Sequence, residues 1–216
     1  MSKISLKHSG GNVVSLNSPT NAPGAADVAF KLPNADGSAG QFMKTDGSGN
    51  LSFDAAGGGK ILEVVSTTKT DIFSTSSTGS WIDLTGLSVS ITTTGSNKVK
   101  LEGTIFVGAG NNSFWHIRLV RTTGGTSTPI FIGDASGSQT QCTFSGYHEG
   151  NNIGYHLIKN QGFSFLDTPS AGTHTYKAQV YLYSGPEIMI NRNSNGSNAA
   201  HVGRGVSSIL ASEVAA

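Results

Sequence analysis

Leu87-Ser88-Val89-Ser90-Ile91 alternates apolar and polar side chains with a period of two, the mark of a strand buried on one face only. Val99-Lys100-Leu101 repeats the pattern and carries it on to Ile105 and Val107. In Tyr176-Lys177-Ala178-Gln179-Val180-Tyr181-Leu182-Tyr183 the same alternation assigns Tyr176, Ala178, Val180 and Leu182 to a core. It leaves Lys177, Gln179, Tyr181 and Tyr183 on the other face. Ile61-Leu62-Glu63-Val64-Val65 is a denser apolar run. Further strand candidates are 114–121, 129–132, 141–144, 153–158, 162–166, 187–191 and 206–214, separated by loops rich in Gly, Asn, Ser and Thr. No window shows a helical period with good helix formers. About ten strands in roughly 155 residues predict an antiparallel sandwich or jelly roll. The fold class is therefore all-β.

Upstream of residue 57 the pattern differs. Ile4-Ser5-Leu6, Val13-Val14-Ser15-Leu16, Val28-Ala29-Phe30-Lys31-Leu32 and Leu51-Ser52-Phe53 each offer only two or three apolar side chains, and Pro19, Pro23 and Pro33 interrupt them. Two glycine-rich turns, Asp36-Gly37-Ser38-Ala39-Gly40 and Asp46-Gly47-Ser48-Gly49-Asn50, lead into Gln41-Phe42-Met43-Lys44 and Leu51-Ser52-Phe53. Isolated hairpins of this size are marginal in water. Residues 1–56 thus read as an extended arm whose apolar side chains, Ile4, Leu6, Val14, Leu16, Phe30 and Leu32, await a partner. Residues 57–60 read as a Gly-rich junction and 61–216 as a knob.

Composition narrows the function classes. The 216 residues carry a net charge of +1 with only 12% charged residues, and no basic stripe of the kind nucleic acid requires. No apolar run approaches the roughly 18 residues of a membrane helix, so no membrane insertion is expected. Met1-Ser2-Lys3-Ile4-Ser5 has no apolar signal core. The chain is expected to be made in a cytoplasm and released by a non-secretory route, which makes the sequons at Asn111 and Asn195 chance matches. Cys142 is the single cysteine and, in its strand-like context, reads as a small core residue.

Site chemistry is sparse. Asp46–Asn50 resembles a calcium loop only superficially, lacking the alternating ligands and final Glu; hairpin-turn chemistry accounts for it. His8, His116, His148, His156, His174 and His201 show no ligand spacing within one chain; a threefold axis can bring together three copies of one that lies on it. No nucleophile elbow is present, and nothing in the spacing of Asp71, Asp83, Glu102, Asp134, Glu149, Asp167 and Glu187 singles out a glycosidase pair. No cofactor is expected. Trp81 and Trp115 sit in strand patterns and read as core. The Lys177, Gln179, Tyr181, Tyr183 face suits a subunit interface ahead of a glycan. The Arg192–Ala200 loop, with Arg192, Asn193, Asn195 and Asn198, is a candidate binding tip.

The phrase Leu32-Pro33-Asn34-Ala35-Asp36-Gly37-Ser38-Ala39-Gly40-Gln41, running into Lys44-Thr45-Asp46-Gly47-Ser48-Gly49-Asn50-Leu51-Ser52-Phe53, resembles a repeat in fibre proteins of marine bacteriophages, notably cyanophages. Phe165-Leu166-Asp167-Thr168-Pro169, Tyr176–Val180, Ile190-Asn191-Arg192 and Gly205–Val214 are similar to the same group. The resemblance implies a homotrimer whose knob is like those of the C1q and tumour-necrosis-factor families. It also implies that residues 1–56 anchor the knob to other virion proteins of tail or capsid. The short arm departs from long tail fibres. It leaves a short tail fibre whose knob meets a host-surface glycan or protein, or else a capsid decoration protein. A carbohydrate-active enzyme or a soluble lectin is the alternative of another class.

Overall fold

The structure, a computed structural model, describes residues 3–7, 9–17, 21, 24, 29–55, 61–150, 157–196 and 199–215, and of Lys3, Val14, Ser15 and Asn17 the backbone alone. The junction 57–60 lies outside the described residues. The chain forms two units, Met1–Gly58 and Gly59–Ala216.

In the first unit, β1 (Lys3–Lys7) and β2 (Val13–Asn17) pair antiparallel, with Ile4 opposite Leu16 and Leu6 opposite Val14. A second hairpin joins β3 (Gln41–Thr45) to β4 (Leu51–Ala55). Its turn is built by Asp46. Oδ1 accepts from the Ser48 and Asn50 amides at 2.8 and 3.1 Å, and Oδ2 accepts from Asn50 Nδ2. Gly47 and Gly49 supply the positive φ of the reversal. These bonds, that from the Asn50 side chain foremost, hold the Asp46 carboxyl below the usual carboxylate range. The aspartate serves the turn, as hairpin chemistry predicts. The expected strand at 28–32 reduces to a single parallel bridge from Lys31 to Asn50, with Val28 outside the described residues. Pro33 ends any longer ladder, since it has no donor to give.

The second unit is a two-layer antiparallel sandwich with eleven described strands and, among the described residues, no helix. They are β5 (Ile61–Lys69), β6 (Phe73–Thr75), β7 (Trp81–Thr93), β8 (Lys98–Ala109), β9 (Ser113–Thr123), β10 (Thr126–Ile130), β11 (Phe144–His148), β12 (Lys159–Asp167), β13 (Gly172–Ser184), β14 (Ile188–Ile190) and β15 (Ser207–Val214). One sheet runs β7–β13–β9, and β10 and β11 both pair with the far side of β9. The other centres on β8, with β12 on one side; β15 and β14 share the other, backed by β5 and β6. The chain crosses between layers at β6–β7, β7–β8, β8–β9, β11–β12, β12–β13 and β13–β14, a jelly-roll-like course.

The alternating positions meet between the layers. Leu87, Val89 and Ile91 face Val99, Leu101, Ile105 and Val107, with Trp115, Ile117, Leu119 and the Tyr176–Leu182 set closing the core. Each fully buried aliphatic side chain stabilises the fold by about 1.5–3 kcal/mol before chain entropy is counted. Two glycines seat aromatic rings. Gly146 lies directly opposite Trp115, and a Cβ there would sit 2.6 Å from the indole Cε2. Gly103 does the same for Phe163. Gly146→Ala is therefore expected to cost about 2 kcal/mol through overpacking and to lower the melting temperature by ~4–8 °C, read by calorimetry. An unchanged melting temperature would show that the indole is free to move.

Several sequence expectations are corrected. Trp81 is not core but half-exposed on the outer face of its sheet. Between Asp83 and Ser88 the pairing of β7 with β13 slips, and both Leu84 and Leu87 point inward. Such a bulge inverts the alternation upstream of it. The expected strand 141–144 begins only at Phe144, because the Thr143 hydroxyl accepts the Leu119 amide at 3.1 Å in place of a ladder partner. Cys142 is thus in a loop and half-buried beside His116, at 3.9 Å from Nδ1, rather than in the core. Of the expected strand 153–158, residues 153–156 lie outside the described residues and 157–158 are not strand. The short β6 carries too brief a pattern to read.

Candidate functional site

The outer face of β7–β13–β9 is laid out in cross-strand rows. At one end, hydroxyls pair across strands: Thr92 with Thr173, Ser90 with Thr175 and Thr122 with Ser127, each at 2.8 Å. The next rows are charged and planar. Asp83 accepts from Lys177 Nζ at 2.5 Å and Gln179 Nε2 at 2.7 Å, and Arg118 Nε donates to Gln179 Oε1 at 2.8 Å. Burial alone would raise the Asp83 carboxyl, but the Lys177 and Gln179 bonds outweigh it and hold it below its ordinary range. The far end is aromatic. Trp81 lies 5.2 Å from Tyr181, which lies 5.8 Å from His116, while Phe114 stacks on Tyr147 at 4.3 Å. The Arg118 guanidinium sits 4.2 Å over the Trp81 ring.

Lys177, Gln179 and Tyr181 therefore share this face as the alternation predicts. Tyr183 occupies a second bulge, where Leu182 pairs with Trp115 and Ser184 with Phe114, and is 63% exposed. Trp81, Asp83, Phe114, His116, Arg118 and Tyr147 join the face unforeseen. They come from neighbouring strands, and only the register brings them there.

The first residues of the expected binding tip are packed against the sandwich. The chain at 191–193 lies back on the outer face of β8. The Arg192 carbonyl and the Asn193 Cα fill the space a side chain at Gly108 would need. Asn193 is consequently 1% exposed and cannot meet a ligand, and Arg192 is half-buried, bridging to Arg204 and 3.6 Å from Glu187. Asn195 is half-buried, and Asn198 lies outside the described residues.

In the first unit, Ile4, Leu6, Leu16, Phe30 and Leu32 are between 63% and 75% exposed. The Val14 side chain lies outside the described residues.

Polar groups at the rim of the sandwich lock it together. Asp167 accepts from Arg121 Nη1 at 2.6 Å and from the Tyr176 hydroxyl at 2.7 Å. Burial, then Asp167, pushes the Tyr176 hydroxyl far above its ordinary value, so it stays a donor. Asp71, Asp83, Glu102, Asp167 and Glu187 each pair with a Lys or Arg. Among the described residues no three His, Cys, Asp or Glu side chains gather as a metal would need. His8 and His156 lie outside them.

His148 is buried, and its Nδ1 accepts from Trp115 Nε1 at 3.2 Å. Burial, then the Lys159 charge, pushes its pKa down, with the Leu157 backbone opposing in part. The unfolded chain, with an imidazole near 6.5, takes up the proton first. Stability from this residue is thus complete above about pH 6.5 and is lost as the pH falls below it. Burial depresses His116 too, with the same sign. The melting temperature should fall between pH 7 and pH 5, and His148→Asn should flatten that slope; an unaltered slope would assign it elsewhere.

No family model and no curated protein matches this chain. Solved structures do. That of infectious bursal disease virus Gt strain is 12% identical over 98% of this chain and 46% of its own, with a TM-score of 0.36. The T=1 particles derived from that virus give 11%, 94%, 42% and 0.39, and its VP2 subviral particle 12%, 94%, 44% and 0.37. The chain spans less than half the length of these proteins. At such TM-scores the likeness assigns neither family nor function.

Proposed function

We propose that this chain is a virion structural protein, a homotrimeric short fibre or knob. Residues 1–56 dock onto other virion proteins, and the sandwich is displayed toward the host surface. One observation carries the reading: the first unit leaves Ile4, Leu6, Leu16, Phe30 and Leu32 largely exposed. Ile4, Leu6 and Leu16 form one face of a two-stranded ladder that buries nothing by itself. A hairpin of this size gains stability only when such a face is covered. The phage-fibre resemblance of residues 32–53 names the kind of particle.

The sandwich offers a surface for its own copies. On the outer face of the β8 sheet, Val64, Ser212, Lys100 and Leu166 form one cross-strand row and Ser66, Leu210, Glu102 and Ser164 the next. Val64 and Leu166 are exposed, as are Ile61 and Leu62 at the edge. Lys100 and Glu102 pair at 2.9 Å in their midst. Around a threefold axis the acid of one copy can face the base of the next, so a patch that carries both suits a closed ring. Within the dense apolar run 61–65, Ile61, Leu62 and Val64 lie exposed at a sheet edge in one chain. Light scattering at micromolar concentration should give three times 22.3 kDa; a monomeric mass would refute the trimer.

A further inference from the structure

We propose that the aromatic end of the β7–β13–β9 outer face, centred on Trp81, Tyr181 and Phe114, binds a saccharide chain. The inference rests on the reading above, in which the β8 sheet meets neighbouring copies and this opposite face is displayed.

The chemistry of the patch selects the ligand. Sugars present C–H faces that pack on aromatic rings and hydroxyls that need fixed polar groups. Here Trp81, Tyr181 and His116 form one row, with the Phe114–Tyr147 stack beside it. Phe114 remains 48% exposed. The adjoining row supplies Asp83, Gln179 and Arg118, already aligned by their mutual hydrogen bonds. Binding therefore orders few side chains, and preorganisation of this kind favours affinity. Arg118 offers five donors, of which Nε serves Gln179.

Charge and shape argue against other occupants. Lys177 neutralises Asp83 and leaves the Arg118 cation, which suits a neutral or carboxylate-bearing sugar rather than a polyanion. Among the described residues no large aliphatic side chain stands among these rings, in contrast to Val64 and Leu166 on the opposite sheet. The hydroxyl rows at the other end of the same face lack aromatic rings, which confines the site to one end.

The protein carries its own reporter. It has two tryptophans, and Trp115 is fully buried, so iodide should quench Trp81 alone. The full chain would be titrated with a panel of purified bacterial lipopolysaccharide O-chains and capsular polysaccharides. At least one should protect Trp81 from iodide. Tyr181→Ala and the surface variant Phe114→Ala should each weaken its binding by about tenfold or more without altering the assembled mass. Thr92→Ala, at the hydroxyl end, should bind as the parent does. The proposal is overturned if no polysaccharide binds, if both ring variants bind unchanged, or if they alter the assembled mass, which would make this face a contact between copies. A chain that enters particles but binds no polysaccharide defeats this inference alone. One that binds but never enters particles defeats only the virion reading.

Discussion

Trp115→Ala should lower the melting temperature of the sandwich by ~8–24 °C. The indole is wholly buried and packs on Gly146, and its Nε1–H reaches His148. Truncating a buried tryptophan costs about 3–5 kcal/mol through lost burial and the cavity left behind. Loss of the donor to buried His148 adds about 1 kcal/mol. For a domain of this size each kcal/mol moves the midpoint by about 2–4 °C, and the total is a large fraction of the 5–15 kcal/mol that holds a typical domain folded. A drop below ~5 °C, measured by calorimetry, would mean that the indole does not close this end of the core. Trp81→Ala serves as the contrast: its ring is half-exposed, and its loss should leave the midpoint within a few degrees.

Val64→Asp combined with Leu166→Asp should dissociate the assembly. Both side chains are exposed in one chain, so the carboxylates cost the monomer little. At a closed interface each would be buried without a partner, costing roughly 3 kcal/mol after relaxation, and a total near 6 weakens association by about four orders of magnitude. Light scattering should then give 22.3 kDa with an unchanged near-ultraviolet spectrum. A mass still three times larger would move the interface away from the β8 sheet, and the Lys177–Tyr181 face would be the next place to look.

What the sequence disclosed follows the physics of each element. The alternations at 87–91, 99–107 and 176–182 belong to strands wet on one face, where period two is enforced by burial, and the structure keeps every inward assignment in them. The Asp46 turn was legible because its bonds are local. Trp81 was misread because the slip opposite Lys177–Gln179 inverts the alternation, and no residue type announces that slip. Arg192 and Asn193 were misread as part of a tip because their burial depends on Gly108, far away in sequence, having no side chain. Gly146 and Gly103 carry the same lesson. Each looks like a weak strand residue until its cross-strand ring is known. The partners of Tyr181 were hidden for a related reason: His116 and Trp81 reach it only through the pairing of β13 with strands on either side.

The central claim is that residues 1–56 exist to attach the sandwich to a particle. Particles assembled with the full chain, and with the chain lacking residues 1–56, would be purified and their protein content compared. The account predicts that the shortened chain folds, with the far-ultraviolet spectrum of an all-β domain, and is missing from the particles. Incorporation of the shortened chain at the level of the full one would contradict it.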